Sequence, residues 1–265
     1  MSVSPATFLE RCREAHELVQ GFLSDTLPWG SVPARHKDYQ YDQNRREGVK
    51  NKIKKSLKVL QTAVKRHGLS EIAISYNGGK DCLVMLILVL ACIYTTDPDH
   101  IPHHYKLNSI YINSEMPFPD LARFITDSAA HYHLEHRTLQ APLKEGFEQY
   151  LHEINVECKT IIVGIRYTDP YGSELEYEQM TDHNWPSFLR IHPILHWNYV
   201  DIWDFLVGCN VEYCHMYDLG YTSLGGIDNT VPNPYLKRDD KYLPAYMLYD
   251  QADERERLGR QKARK

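Results

Sequence analysis

The stretch Ser75-Tyr76-Asn77-Gly78-Gly79-Lys80-Asp81-Cys82 lies between a short strand-forming run, Glu71-Ile72-Ala73-Ile74, and thirteen consecutive apolar or aromatic residues from Cys82 to Tyr94. That order reads as a strand, a tight turn and a buried helix. Adjacent glycines let the backbone turn sharply and approach a ligand, while the helix that follows aims its positive dipole end into the same space. The ligand such a turn suits is an anion, phosphate above all. A Walker A loop requires glycine at position 74 and Ser or Thr at 81, where this chain has Ile and Asp, and no Gly-x-Gly-x-x-Gly fingerprint is present. The apolar run falls short of the roughly 20 residues that cross a bilayer, so it is a core helix.

Around this turn, strand and helix patterns alternate. Ser4 as N-cap and Pro5 at the first helical position open a helix carrying Phe8, Leu9, Cys12, Leu18, Val19, Phe22 and Leu23. A second helix has Ile53, Leu57, Leu60 and Val64 on one stripe, Gly68 as its stop, and Lys and Arg on a solvated face. A strand follows over Ser109 to Glu115, a helix over Asp120 to His131, a strand over Leu134 to Thr138, a helix over Pro142 to Ile154, and a buried strand over Lys159 to Gly164. Such alternation with short connections predicts an α/β fold, a mostly parallel twisted sheet with helices on both faces. Ligands of such sheets sit beyond the carboxyl ends of the strands, here residues 75–82, 112–115 and 164–170.

Beyond residue 170, Tyr171 to Asn184 reads as a polar loop, Phe188 to Leu195 as a strand and Tyr199 to Val207 as a helix. Residues 213–236, rich in Gly, Tyr, Asn and Pro, suit an ordered binding loop, and the last eleven residues a charged helix or tail. The chain is read as a single domain over 1–265: an N-terminal helix and loop (1–47), a core (48–170), and a ligand-binding region with a closing segment (171–265).

Charge and cysteine usage narrow the partners. A net charge of −5 without a basic stripe argues against nucleic acid and for small substrates. Six cysteines without a Cys-x-x-Cys pair, and an N-terminus lacking a signal-peptide core, predict a reducing cytoplasm. The sequence reads as a monomer with no membrane partner. His131, His133 and His136, with His103 and His104 upstream, superficially suggest zinc, but no Cys or carboxylate completes the usual spacing, and solvated histidines are the simpler reading.

Two further clusters carry chemistry. Gly164-Ile165-Arg166-Tyr167-Thr168-Asp169-Pro170 puts an arginine fork suited to phosphate oxygens, and an aspartate able to orient it, just past a buried strand. Asp182, Trp185 and Arg190 offer an acid, an indole and a guanidinium to a flat heteroaromatic ring, although a core tryptophan is the commoner fate of that residue type.

The turn at 75–82 resembles the Ser-Gly-Gly-x-Asp-Ser loop of ATP pyrophosphatases, with Tyr76-Asn77 inserted and Cys82 in place of the last serine. The turn, Gly164-Ile165-Arg166-x-Thr168-Asp169-Pro170, Thr181-Asp182-x-x-Trp185-Pro186, Trp197-x-x-x-Asp201-Ile202-Trp203, Gly220 to Gly226, Asn229 to Pro234 and Glu256-Arg257-Leu258-Gly259-Arg260 together resemble the FMN adenylyltransferase domain of eukaryotic FAD synthases, relatives of phosphoadenylylsulfate reductase. The resemblance implies Mg²⁺-dependent transfer of AMP from ATP to FMN, giving FAD and pyrophosphate.

It assigns ATP to Ser75, Tyr76, Asn77, Gly78, Gly79, Lys80, Asp81, Cys82, the backbone near Ile112, Gly164 and Arg166. It assigns FMN to Arg166, Thr168, Asp169, Asp182, Trp185, Arg190, Arg257 and Arg260. Catalysis falls to Asn77, Lys80, Asp81, Arg166, Arg257 and Arg260, with Mg²⁺ held largely by substrate phosphates. Tyr167 stands where some relatives carry a second arginine. A thiol-dependent reductase on the same loop needs a cysteine in its C-terminal tail, and none follows Cys214. A tRNA-modifying pyrophosphatase needs paired cysteines or a basic face, and a non-catalytic nucleotide sensor remains the other reading.

Overall fold

Four residues, Ile72–Ser75, form β1 at the middle of the sheet, and their alternation explains the layering. Ile72 and Ile74 point into one apolar cluster while Ala73 points into another on the opposite face, as the two-residue period of a strand requires. The computed structural model describes residues 6–96, 99 and 101–261. Six strands run in the order β3-β2-β1-β4-β6-β5. They are β1, β2 (Leu107–Ile112), β3 (Leu134–Leu139), β4 (Thr160–Val163), β5 (Glu178–Met180) and β6 (Leu189–Ile191). All pairings are parallel except β5 with β6.

Helices α1 (Phe8–Ser24), α2 (Gln43–His67), α3 (Lys80–Thr96), α4 (Pro119–His131) and α6 (Tyr199–Gly208) pack on the Ile72/Ile74 face. Helix α5 (Leu143–Gln149) packs on the other through Phe147. The chain steps outward from β1 to β2 to β3 and then returns to place β4 on the far side of β1. With right-handed crossovers that reversal sends the connecting helix to the opposite face. The same reversal leaves a crevice beyond the carboxyl ends of β1 and β4, the switch point where open α/β sheets bind ligands. The parallel sheet covered on both faces, read from the alternation of patterns, is therefore present.

Several local expectations are corrected. Ser4 and Pro5 lie outside the described residues, and α1 is capped at Thr7, whose hydroxyl accepts from the Glu10 amide while the Glu10 carboxylate accepts from the Thr7 amide. The 171–184 stretch is not all loop: Glu178–Met180 pairs antiparallel to β6, and β6 is three residues rather than the whole of Phe188 to Leu195. The helix from Pro142 gives way after Gln149 to a π turn over Tyr150–Ile154.

The basic face of α2 is not wholly solvated. Arg46 is 2% exposed, bonds Asp204 of α6 at 2.7 Å and lies over the Phe22 ring; Lys50 reaches Asp25 at 2.5 Å and Glu47 at 2.8 Å. Arg46 and Lys50 precede Ile53 and Leu57 by seven residues, two helical turns, so these two cations sit on the apolar stripe itself and are buried with it.

His103, His104 and His131 are exposed, as the solvated reading expects, whereas His136 and the separate His36 are structural. His136 bonds Ser109 at 2.9 Å, and burial lowers its pKa to about 4. His36 bonds the Tyr213 hydroxyl, which donates to Asp218, and burial with Arg35 nearby lowers it to about 4 as well. Both are neutral in the folded chain where the unfolded chain, titrating near 6.5, is already protonated. Acid therefore favours the unfolded state, and stability should rise with pH between about 4 and 6.5, by at most about 1.4 kcal/mol per pH unit for each histidine. Urea titrations across that window test this: His36→Gln should flatten the slope, and an unchanged slope in both His36→Gln and His136→Gln would refute the assignment.

Candidate functional site

At the switch point the turn after β1, the first turn of α3, the loops after β2 and β4, residues 223–225 and the 256–260 segment enclose a cleft of about 540 Å³. A groove of about 510 Å³ between α2 and the β5 edge contains none of these elements. The cleft exists because Gly78 adopts φ +70, turning the chain so that α3 begins at Lys80 with its N-terminus facing the opening. The amides of Gly79 and Lys80 are not bare: Gly79 N–H donates to Asn77 Oδ1 and Lys80 N–H to the Tyr217 hydroxyl, both at 2.9 Å. Buried amides need acceptors, and these are oxygen acceptors.

Beneath the turn lies an ion cluster. Arg166 is fully buried, and its guanidinium faces Asp81 at 2.9 Å, Asp253 at 3.0 Å, Asp169 at 3.1 Å and also Glu256. Lys80, 2% exposed, is held by Asp81 at 2.8 Å and by Glu256. Two cations thus face four carboxylates. Burial works to raise the Asp81 pKa, but Arg166 and Lys80 outweigh it and hold that carboxyl below its ordinary range. For Glu256 burial prevails over the same two cations, and its pKa is raised. The fork of Arg166 is spent on protein carboxylates rather than directed into the cleft.

Asn77, Gly79, Lys80, Asp81, Cys82, Gly164, Asp169, Arg257 and Arg260 line the cleft. Other residues singled out in the sequence lie elsewhere. Ser75 closes β1 beside Val163, and the Tyr76 phenol turns into the core to bond Ser128 at 2.8 Å. Gly78 backs onto Leu121 and Ile125 of α4, and Ile112 packs toward Gly146 of α5. Thr168 donates to Asp253. Asp182, 72% exposed at its side chain, stands 4.0 Å from Arg190 at the tip of the β5–β6 hairpin. Trp185 lies edge-on to Phe147 at 6.4 Å.

The cleft also contains Tyr111 and Leu143, which the sequence did not single out, and Asn113, Glu115 and Tyr217, which it placed only within the 112–115 strand end and the 213–236 binding loop. Glu115 accepts from Gly226 N–H at 2.8 Å and Asn229 Nδ2 at 2.6 Å, tying the 220s loop across the opening. Asp253, three residues before Glu256 on one helical face, carried a pattern signal, but its partner Arg166 lies 87 residues away. Among the described residues no group of three or more His, Cys, Asp or Glu side chains has metal-site geometry.

A parallel sheet with an anion-type turn at its switch point defines a nucleotide-binding α/β protein, and the phosphoadenosine phosphosulfate reductase domain model matches residues 71–232, from the edge of β1 through the 220s loop but short of the 256–260 segment. The chain is 39% identical over 213 residues to the probable FAD synthase of Schizosaccharomyces pombe, covering 78% of this chain and 79% of that protein. It is 35% identical over 250 residues to the probable FAD synthase of Caenorhabditis elegans, covering 90% of this chain but 47% of that one. The crystal structure of Candida glabrata FMN adenylyltransferase in complex with FAD and inorganic pyrophosphate superposes with a TM-score of 0.84 at 28% identity, covering 97% of this chain and 98% of that one. The chain belongs to the FAD synthase family.

Proposed function

We propose that this chain transfers the adenylyl group of ATP to the phosphate of FMN, releasing FAD and pyrophosphate. The observation that carries the reading is the single cleft at the switch point, with the helix N-terminus at its floor and Arg257 and Arg260 at its mouth. Solved relatives of the same fold bind these compounds: Candida glabrata FMN adenylyltransferase has structures with ATP, with FMN and an ATP analogue, and with FAD and pyrophosphate.

The chemistry asks for alignment more than for acid or base. The FMN phosphate has a second pKa of about 6, so near neutral pH an oxygen is already free to attack the α-phosphorus. The new P–O bond forms as the bond to the β-phosphate oxygen breaks, and the electron pair leaves with pyrophosphate. Bringing two polyanions into line and stabilising charge in the transition state is the protein's task. The ATP phosphates sit over the 77–81 turn, where their oxygens take the place of Asn77 Oδ1 at the Gly79 amide.

Because the carboxylates around Lys80 and Arg166 outnumber those cations, positive charge at the phosphates comes from Arg257 and Arg260. A divalent cation fits the donor chemistry: Asp81 and Asp169 are hard oxygen ligands at the cleft wall, and Mg²⁺ commonly uses one or two carboxylates plus substrate phosphates. When bound there it would neutralise phosphate charge.

The flavin ring lies toward Trp185. Helix α5 offers the path, with Leu143 in the cleft and, one turn later, Phe147 against Trp185. Asp182→Ala should therefore raise the Kd for FMN about tenfold and leave that for ATP within about twofold. Calorimetric titrations with each ligand check this, and equal losses for both would remove Asp182 from the ring site.

Among the described residues no helix is long and apolar enough to cross a membrane. All six cysteines are free and buried, which supports our placing the chain in a reducing cytosol. Incubation with ATP, Mg²⁺ and FMN tests the activity: FAD and pyrophosphate should appear in equal amounts. Pyrophosphate without FAD would mean hydrolysis, and tight nucleotide binding without either product a sensor; either outcome rejects the transferase.

A further inference from the structure

Glu256 is an oddity of charge. Asp81, Asp169 and Asp253 already outnumber the two cations they face, so neutrality does not call for another carboxylate. Yet Glu256 is buried at 5% exposure between the same cations, one carboxylate oxygen on Lys80 Nζ and the other on Arg166 Nη2. Burial raises its pKa in spite of the two cations, and the neighbouring Asp81 carboxylate adds to the rise. A fold that buries a surplus charge at its ligand cleft holds it there for a reason other than stability.

The bridge joins three elements that are far apart in the chain. Lys80 begins α3 and belongs to the turn, Arg166 follows β4, and Glu256 ends the short helix α7 (Ala252–Arg255). The next residue is Arg257, exposed and lining the cleft, and one turn later Arg260 reaches Leu224 O at 2.9 Å and approaches Glu115 at 3.7 Å. The main chain is pinned at the same spot: the Glu256 carbonyl accepts from Thr222 Oγ1 at 2.6 Å, and Asn233 Nδ2 donates to both Thr222 Oγ1 and Arg255 O at 2.8 Å. Each anchor fixes the rotation of the 252–260 segment about its own axis, and that rotation decides where the two arginines point.

We propose that Glu256 is a positioning residue for adenylyl transfer, bridging Lys80 and Arg166 so that Arg257 and Arg260 are held over the phosphates. This rests on the reading of the cleft as the ATP and FMN site. Glutamine is isosteric but has one acceptor, so Glu256→Gln keeps one anchor and sets an N–H against the other cation. In the full chain, Glu256→Gln should lower kcat/KM for ATP about 10- to 100-fold, the scale of a misplaced catalytic group. In an Arg257→Ala/Arg260→Ala background it should cause less than about a twofold further loss, since the residue acts only through those arginines. Tryptic cleavage after Arg255, Arg257 and Arg260 should speed up in Glu256→Gln.

A multiplicative loss in the triple variant, or wild-type kcat/KM in Glu256→Gln, overturns the positioning role. Unchanged cleavage overturns the bridge as the device that orders the segment. Wild-type turnover in Arg257→Ala/Arg260→Ala alone rejects the placement of the arginines in the parent reading, and does so separately, because faster cleavage in Glu256→Gln still reports the bridge. If Glu256→Gln does not fold, Thr222→Val releases the same segment through its carbonyl and should show the same non-additive loss.

Discussion

Arg166→Ala is expected to destabilise the chain by about 3–5 kcal/mol and lower its melting temperature by on the order of 10 °C. The reasoning turns on an asymmetry of buried ion pairs. A complete pair often contributes little beyond what apolar residues of the same size would give, but removing one partner leaves the other charge uncompensated. Here the residue removed is fully buried and faces four carboxylates, so only Lys80 remains among them, and Lys80 reaches just Asp81 and Glu256. Against a total of about 5–15 kcal/mol for a typical domain, the loss removes a large share of the margin.

Arg166→Lys should recover only a minor part, since an ammonium cannot present five donors in a planar fork to carboxylates on several sides. The solvent-exposed pair of Arg66 with Glu178 supplies the contrast, and Arg66→Ala should change stability by less than about 0.5 kcal/mol. Thermal unfolding of the three variants decides the matter. An Arg166→Ala protein melting within a couple of degrees of the parent would mean that the carboxylates find water or protons instead, and that the cluster does not hold the cleft together.

The same cluster explains which parts of the site were legible. A motif reading recognises a residue by its type and its neighbours in sequence, and arginine after a buried strand reads as a phosphate ligand. What the side chain faces depends on elements brought in from a distance: Asp253 and Glu256 lie 87 and 90 residues from Arg166. The turn was legible for the opposite reason. Glycine geometry, the helix dipole and the apolar run behind it all act within twenty residues of chain.

The parallel sheet and its ligand crevice follow from the alternation of patterns and the handedness of crossovers, both insensitive to exact boundaries. Strand β5 escapes such reasoning, and β6 was legible only as part of the longer run Phe188 to Leu195. At three residues β5 has no periodicity to read, and pairing with β4 over Leu189 to Ile191, rather than intrinsic preference, sets how much of that run is strand. Tyr76 shows the limit within a motif, since a strand's alternation continued by one residue sends its ring under α4 while Asn77 beside it faces the cleft.

Gly78→Ala should abolish most turnover while leaving a folded protein. Two effects act on the same atom. At φ +70 an L-residue is strained by about 1–2 kcal/mol, and the added methyl would stand 2.6 Å from Ile125 Cγ1 and 3.3 Å from Leu121 Cδ1. These neighbours belong to α4, which is packed in the core, so little of the overlap can be relieved there and the turn itself must move. A shift of about 1 Å moves the Gly79 and Lys80 amides off the oxygens they are aimed at, and displacement on that scale lowers rate about 100-fold. The strain and the overlap together should cost the fold about 2–4 kcal/mol, enough to see in a melt but short of unfolding at 25 °C. The decisive comparison is of ligands: ATP affinity should fall while FMN affinity, which we propose is set near Trp185, changes by less than about threefold. Retention of full activity with the methyl in place would show that this turn does not carry the nucleotide's phosphates, whatever its resemblance to loops that do.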